Sequence, residues 1–92
     1  MRPDVLLVED TPSLAQLYLG YLAKTGYAIT AVDTGAAALA RLAESTPSAM
    51  LLDLHLPDMN GVEVLKAVKA RGLPTEVIVI TADGSINVAV EA

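Results

Sequence analysis

The chain has 92 residues, a formal net charge of −5 and 53% hydrophobic residues, and it lacks cysteine, tryptophan and phenylalanine. This length allows one domain with a modest aliphatic core, and the absence of cysteine excludes disulfide and thiolate chemistry and is compatible with a cytoplasmic location. The acidic balance argues against nucleic-acid binding, no apolar run approaches the ~20 residues of a membrane span, and the first residues do not resemble a signal peptide.

Apolar patterning predicts alternating strands and helices along the whole chain. The first strand run is continuous, which is typical of a strand covered on both faces. The predicted strands span 4–8, 27–32, 49–53 and 76–80, the predicted helices span 12–25, 35–45 and 61–71, and a further helix is expected to open at Gly84–Ser85. With right-handed crossovers, this alternation gives a single α/β domain over 1–92 with a doubly wound parallel sheet.

Two of the predicted helices show an apolar face at helical spacing. We expect the inward residues of the first helix to be Leu14, Leu17, Tyr18, Tyr21, Leu22 and Thr25, and those of the third to be Val62, Val64, Leu65 and Val68. Tyr18 and Tyr21 also allow a partner-binding face, although core or core margin is the simpler interpretation. Pro12 suits the first helical turn and Gly26 a left-handed helix end.

Three of the predicted strands run into polar residues. Val5–Val8 leads into Glu9 and Asp10, Met50–Leu52 leads into Asp53, and Val77–Ile80 leads into Thr81. Because ligands of open parallel sheets bind beyond the carboxyl ends of the strands, these side chains are expected to share one crevice.

Three carboxylates in one crevice repel one another, and one of them tends to protonate unless a cation intervenes. Oxygen ligands at strand ends suit Mg²⁺, which would permit phosphoryl transfer to an aspartate, with Thr81 as a hydrogen-bond donor to a phosphoryl oxygen. The alternative is that Glu9 and Asp10 only cap the first helix and that Thr81 is an ordinary strand end. Spacing alone leaves both interpretations open.

Together these motifs resemble one known family. Leu6-Leu7-Val8-Glu9-Asp10, Leu52-Asp53-Leu54-His55-Leu56-Pro57-Asp58-Met59-Asn60-Gly61 and Ile80-Thr81-Ala82, in this order, resemble the receiver domain of bacterial two-component response regulators. The start of the chain and the stretch 81–85 are similar to receivers of sigma-54-dependent transcription activators, quorum-sensing regulators among them. The resemblance covers nearly the whole chain and implies a flavodoxin-like fold with strand order 2-1-3-4.

The resemblance also implies a role for each matched residue. Asp53 would be the phospho-acceptor and a metal ligand, Asp10 a direct Mg²⁺ ligand, and Glu9 a ligand through water. The backbone carbonyl of His55 would complete the metal set, with its side chain an exposed bystander. Thr81 would be the switch hydroxyl. Ala82 would be the small residue that leaves access to the acceptor, and Pro57 and Gly61 would shape the loop.

The implied partners are a histidine kinase or a histidine phosphotransfer protein as donor, and a transcription-regulatory output. A complete receiver has a fifth strand, which begins with a phosphoryl-contacting lysine, and a fifth helix, so the chain is expected to be a truncated receiver. Residues 77–80 would then form an exposed apolar edge, and we expect self-association through that edge or by exchange of the incomplete last helix. Phosphorylation would be weakened or lost without the lysine.

Two other functions compete with this signalling module, which would not be an enzyme. A Mg²⁺-dependent aspartyl-phosphate phosphohydrolase usually has a second aspartate two residues after the nucleophile, where this chain has His55, and it needs a substrate cap for which 92 residues leave no room. The other alternative is a non-phosphorylatable scaffold or dimerisation fragment with a vestigial pocket.

Overall fold

The computed structural model describes residues 3–80 and the backbone of residues 86–89. The elements in chain order are β1 (Asp4–Val8), α1 (Pro12–Leu22), β2 (Ala28–Val32), α2 (Gly35–Glu44), β3 (Ala49–Asp53), α3 (Gly61–Ala70), β4 (Glu76–Ile80) and β5 (Ile86–Ala89). The sheet order is β2-β1-β3-β4-β5, with β1 to β4 parallel and β5 antiparallel to β4. The predicted doubly wound sheet with parallel order 2-1-3-4 is therefore confirmed.

The register of the parallel strands brings their carboxyl ends to one level. Val8 at the end of β1 lies opposite Leu52, and Asp53 at the end of β3 lies opposite Ile80. The residues that follow β1 therefore meet the last residue of β3 at the same edge of the sheet, which is where ligands of such sheets bind.

The main core lies between the sheet and helices α2 and α3. Successive strand residues point to opposite faces, so alternate positions of β1, β3 and β4 enter this core. Its fully buried members are Leu6, Val8, Ala38, Leu42, Met50, Leu52, Val64, Val68, Val77 and Val79. Val64 and Val68 thus lie inward as predicted, whereas Val62 is 36% exposed and the prediction for it is wrong.

Helix α1 lies on the opposite face, where right-handed crossovers place it, and it contains no buried residue. Leu17 is 49% and Tyr21 is 65% exposed, so the prediction that both lie inward is wrong. The physical reason is that no element within the described residues packs over the outer side of this helix. Tyr18 is half-buried, as a core-margin residue would be.

The ends of the helices largely follow the expected local chemistry. Pro12 begins α1, a 3₁₀ turn at Ala23–Thr25 extends that helix, and Gly26 ends the turn with φ 80°. The Thr34 hydroxyl caps α2 by accepting from the Ala37 N–H at 3.0 Å. Among the described helices, none is long and apolar enough to cross a membrane.

The prediction of a helix opening at Gly84–Ser85 is wrong for residues 86–89. These residues form β5, whose backbone pairs with β4 from Ile80↔Ile86 to Val77↔Ala89. Unpaired edge groups of β4 favour an added strand, and the β-branched Ile86 and Val88 suit one. The prediction that β4 is an exposed edge is therefore wrong, and so is the prediction of a last helix that copies of the chain could exchange. Self-association itself stays a prediction.

Candidate functional site

Three carboxylates meet at the carboxyl edge of the sheet, as the strand ends predict. Glu9 and Asp10 follow β1, and Asp53 is the last residue of β3. Each contributes one oxygen to a group whose members all lie within 4.8 Å of one another. Glu9 and Asp53 are buried, while Asp10 is half-buried and borders solvent. The arrangement concentrates negative charge in a small pocket with one open side.

Burial raises the pKa of Glu9 from 4.5 to about 7, assisted by a hydrogen bond to Asp53 and by the charge of that carboxylate. The Thr11 backbone N–H opposes this shift, and the charge of Asp10 adds to it. The expectation that one carboxyl of the cluster tends to protonate is thus met by Glu9.

One oxygen of the cluster has no protein partner. Glu9 Oε2 is buried and accepts no hydrogen bond within the described residues. An unpartnered buried carboxylate oxygen is costly, and a bound cation or its water would satisfy it. The three carboxylate oxygens of the cluster lie close together and form a donor set that fits a hard cation such as Mg²⁺.

The loop of residues 54–60, which joins β3 to α3, is closed tightly beside Asp53. The His55 N–H donates to Asp53 Oδ1 at 3.0 Å, and the Gly61 N–H donates to the Leu54 carbonyl at 2.8 Å. A Cβ on Gly61 would overlap the backbone carbonyl of Asp53, so this position requires glycine. His55 also pairs with Asn60 in an antiparallel bridge. The backbone that leaves Asp53 is therefore held by the His55 N–H bond and by the bridge that joins the two ends of the loop.

An open cavity of about 440 Å³ lies beside the cluster. It is lined by Asp10 on one side and by residues 54–60 on the other. The His55 side chain is exposed, as predicted, and its role as a bystander stays a prediction. This opening leaves the acidic residues accessible from solvent on one side.

Tyr18 of α1 lies close enough to the cluster for the charges of Glu9 and Asp53 to act on its hydroxyl. Burial and the charges of Glu9 and Asp53 raise the pKa of its hydroxyl. The tyrosine therefore stays neutral at physiological pH. The sequence placed this residue only in the core margin, since helical spacing carries no signal of nearby charge.

Sequence reasoning missed Asp58, which connects the site loop to α2. Its two carboxylate oxygens accept from the backbone N–H groups of Gly35 and Ala36, at 2.8 and 2.9 Å. These donors lie 23 and 22 residues away, so no local pattern could have revealed the pairing. The other predicted residues Thr81 and Ala82 lie outside the described residues.

A sequence model of the response regulator receiver domain family matches residues 5–92 of this chain. The regulatory protein LuxO of Vibrio vulnificus is 50% identical over 86 residues, which cover 94% of this chain and 19% of that protein. The DNA-binding response regulator MtrA of Mycolicibacterium smegmatis is 37% identical over 89% of this chain and 36% of its own length. The chain thus spans about a fifth to about a third of these relatives.

Solved structures show the same likeness. The crystal structure of a signal receiver domain from Vibrio parahaemolyticus, described as that of a Luxo repressor protein, has a TM-score of 0.86 and 47% identity over 92% of this chain and 65% of that one. The response regulator TrrA from Thermotoga maritima, solved in complex with Mg²⁺-BeF, has a TM-score of 0.82 and 27% identity over 89% of this chain and 70% of that one.

Proposed function

Because this chain belongs to the response regulator receiver domain family, we propose that it accepts a phosphoryl group on Asp53 with the help of Mg²⁺ and acts as a switch in a two-component phosphorelay. The observation that carries the proposal is the cluster of Glu9, Asp10 and Asp53, in which buried Glu9 Oε2 lacks a partner. A cation and an incoming phosphoryl group account for both the charge and the unpartnered oxygen.

We assign the metal to oxygens of Asp10 and Asp53, to Glu9 through water, and to the backbone carbonyl of His55. When bound there, Mg²⁺ would offset the negative charge that the carboxylates and the phosphoryl group bring together. Burial raises the pKa of Glu9, so we assign the proton of the metal-free pocket to this carboxyl. Thr81 is proposed as the hydroxyl that responds to the phosphoryl group.

In the proposed reaction, a carboxylate oxygen of Asp53 attacks the phosphorus of a phosphohistidine. The new O–P bond forms while the P–N bond to the donor imidazole breaks, and the imidazole leaves with its electron pair. The product is an acyl phosphate on Asp53 and an unphosphorylated histidine. The His55 N–H donates to Asp53 Oδ1 and so fixes that oxygen, which leaves Oδ2 as the proposed attacking atom.

The donor is proposed to be a histidine kinase or histidine phosphotransfer protein, and the output a transcription-regulatory domain. The likeness to LuxO and MtrA supports such an output, and the likeness to the luminescence regulatory protein LuxO of Vibrio campbellii supports a role in quorum sensing. A cytoplasmic location and self-association belong to the same proposal.

A phosphohydrolase of the aspartyl-phosphate type fits the site less well. Its acid/base aspartate would stand two residues after Asp53, and the residue there is His55, whose side chain is exposed. The chain is therefore proposed to work as a signalling module, without turnover of small molecules.

The proposal is tested by the intact mass of the chain after incubation with acetyl phosphate and Mg²⁺. We expect one phosphoryl adduct on part of the parent chain, the same yield on Asp33→Asn, an exposed control aspartate, and none on Asp53→Asn. Asp10→Ala should lose both the adduct and Mg²⁺ binding. A folded parent chain without an adduct would contradict the proposal and favour the scaffold alternative.

A further inference from the structure

The site loop, which is the loop of residues 54–60, is hydrogen-bonded at its tip to the start of α2. The proposed chemistry does not use this helix. Asp58 Oδ1 accepts from the Gly35 N–H and Asp58 Oδ2 from the Ala36 N–H. These are the first two backbone donors of α2, which have no partner inside the helix. A bidentate carboxylate on two consecutive N–H groups fixes both the position and the orientation of the loop tip.

A second contact reinforces the first. Met59 lies against Gly35 so closely that a Cβ on that glycine would overlap the Met59 side chain. Met59 also packs against the main core, as do Leu54 and Leu56 of the same loop. The tip is thus held by the Asp58 hydrogen bonds on its solvent side and by the apolar contacts of Met59 on its core side.

Helix α2 has a cap of its own, so Asp58 is not needed to begin it. The Thr34 hydroxyl accepts from the Ala37 N–H, and the Thr34 carbonyl accepts from the Ala38 N–H. Hydrogen bonds from the two N–H groups hold the pKa of the Asp58 carboxyl below its usual value, so the carboxylate is charged at neutral pH. The bonds of Asp58 therefore serve the loop as much as the helix.

The anchored segment is the one that carries the His55 carbonyl. His55 pairs with Asn60 at the base of the loop, and Asp58 fixes the tip between them. Because the base and the tip of the loop are both held, the peptide group that carries the His55 carbonyl has one orientation. Without the tip contact, rotation of the His55 peptide is resisted by the bridge at the base, by the His55 N–H bond to Asp53 Oδ1 and by the apolar contacts of the loop.

We propose that Asp58 is a positioning residue for the metal site, which fixes the loop to α2 so that the His55 carbonyl faces the acidic cluster. The proposal rests on the proposed function, since it concerns the same Mg²⁺ site. Asp58 itself supplies no ligand. Its effect on Mg²⁺ affinity is that of a residue that orients a ligand, for which losses of about 10- to 100-fold are typical.

The test is a calorimetric Mg²⁺ titration of the parent chain and three variants. Asp58→Ala removes both bonds to α2 and should weaken Mg²⁺ binding roughly tenfold, at the low end of that range because the apolar contacts remain. Asp58→Asn keeps one acceptor oxygen and should give an intermediate affinity. Thr34→Ala removes a bond from the same helix start without touching the loop, and should change the affinity less than about twofold.

Urea unfolding of the same variants separates positioning from loss of stability. Thr34→Ala and Asp58→Ala both remove cap bonds of α2, so both should lower the unfolding midpoint. Only Asp58→Ala should also lose Mg²⁺ affinity and change the amide signal of His55 in a nitrogen–proton spectrum. A parent chain that binds no Mg²⁺ would defeat the proposed function. A parent that binds, with Asp58→Ala binding equally well, would overturn the positioning role alone.

Discussion

The two faces of the sheet are packed to different degrees, although apolar strand residues line both. On one face, α2 and α3 each bury three residues and each begins with a side-chain cap. On the other face, α1 buries no residue and begins without a side-chain cap bond. The site loop leads into α3 and is bonded to α2 through Asp58.

This difference places the proposed chemistry on the firmer support. Asp53 and the loop after it need a fixed geometry, because small displacements of an acceptor or a metal ligand are costly. Helix α1, which follows Glu9 and Asp10, buries no residue and is expected to open at a lower free energy than α2 and α3. Four predictions test this contrast.

The largest effect is expected from matched leucine truncations on the two faces. Leu42 of α2 is buried, whereas Leu17 of α1 is 49% exposed. Leu42→Ala leaves a cavity in the main core and should lower the free energy of unfolding by about 2–4 kcal/mol. Leu17→Ala should lower it by less than about 1 kcal/mol, since a half-exposed side chain leaves no cavity.

Urea unfolding followed by circular dichroism measures both values, which suits a chain without tryptophan. Equal losses for Leu42→Ala and Leu17→Ala would mean that α1 is buried in solution as firmly as α2. The contrast between the two faces would then be wrong.

Two glycines give the next contrast. A Cβ on Gly61 would overlap the Asp53 carbonyl oxygen and lie 2.8 Å from the Leu54 Cα, whereas a Cβ on Gly20 of α1 would meet nothing within 4 Å. Gly61→Ala should destabilise the chain by about 1–3 kcal/mol and reduce phosphorylation, since backbone at the acceptor must shift. Gly20→Ala should stabilise it by roughly 0.5–1 kcal/mol through helix propensity.

Unfolding curves and phosphoryl-adduct yields of the two variants check this pair. A neutral Gly61→Ala, with an unchanged adduct yield, would show that the loop relaxes easily and would remove the argument for a rigid support under Asp53.

Some of these features could be predicted from the sequence for a clear physical reason. An apolar run that ends in a carboxylate marks both a buried strand and the residue at its carboxyl end, which located Glu9 and Asp53. Parallel topology then brings such ends together, without any further information. The bounds of β1, β3 and β4 follow from the same apolar runs and agree with the structure.

Other features depend on contacts between distant residues. The Asp58 hydrogen bonds join positions 22 and 23 residues apart and leave no periodic signal. Helical spacing placed Leu17 and Tyr21 inward, but an apolar face is buried only where another element covers it. Residues 86–89 are a short apolar run that fits helix or strand, and pairing with the edge of β4 decides between them.

A smaller effect should appear in the pH dependence of the metal-free chain. The folded-state pKa of Glu9 is raised to about 7 from 4.5, chiefly by burial. The stability that this raised pKa contributes is fully present below about pH 4.5, where Glu9 is protonated in both the folded and the unfolded state. It is lost as the pH rises through 7. We expect a fall in the free energy of unfolding on the order of 1 kcal/mol, since the open side of the pocket lets solvent offset part of the cost of burying the charge.

Glu9→Gln is the matched control, because it keeps the shape and removes the titration. In EDTA, the parent should lose stability relative to Glu9→Gln between pH 5 and 8. Excess Mg²⁺ should reduce that loss, since a cation favours the ionised carboxylates. Parallel pH profiles for the two chains in EDTA would contradict the raised pKa.

The smallest effect concerns the hydrogen bonds of Asp58, which join the loop before α3 to the start of α2. Backbone N–H groups of Gly35 and Ala36 lower the pKa of Asp58, which is exposed, so screening keeps its contribution small. A lowered pKa gives stability that is present above the unfolded value near 3.9 and is lost as the pH falls through the folded value. The stability advantage of the parent over Asp58→Asn should therefore be constant at neutral pH and shrink below about pH 4.

Thr34→Ala removes a neutral cap of the same helix, so its cost should not change over that range. If the Asp58→Asn difference stayed constant to the lowest pH at which the chain folds, the carboxylate would not be held by its charge, and the loop would be attached to α2 mainly through Met59.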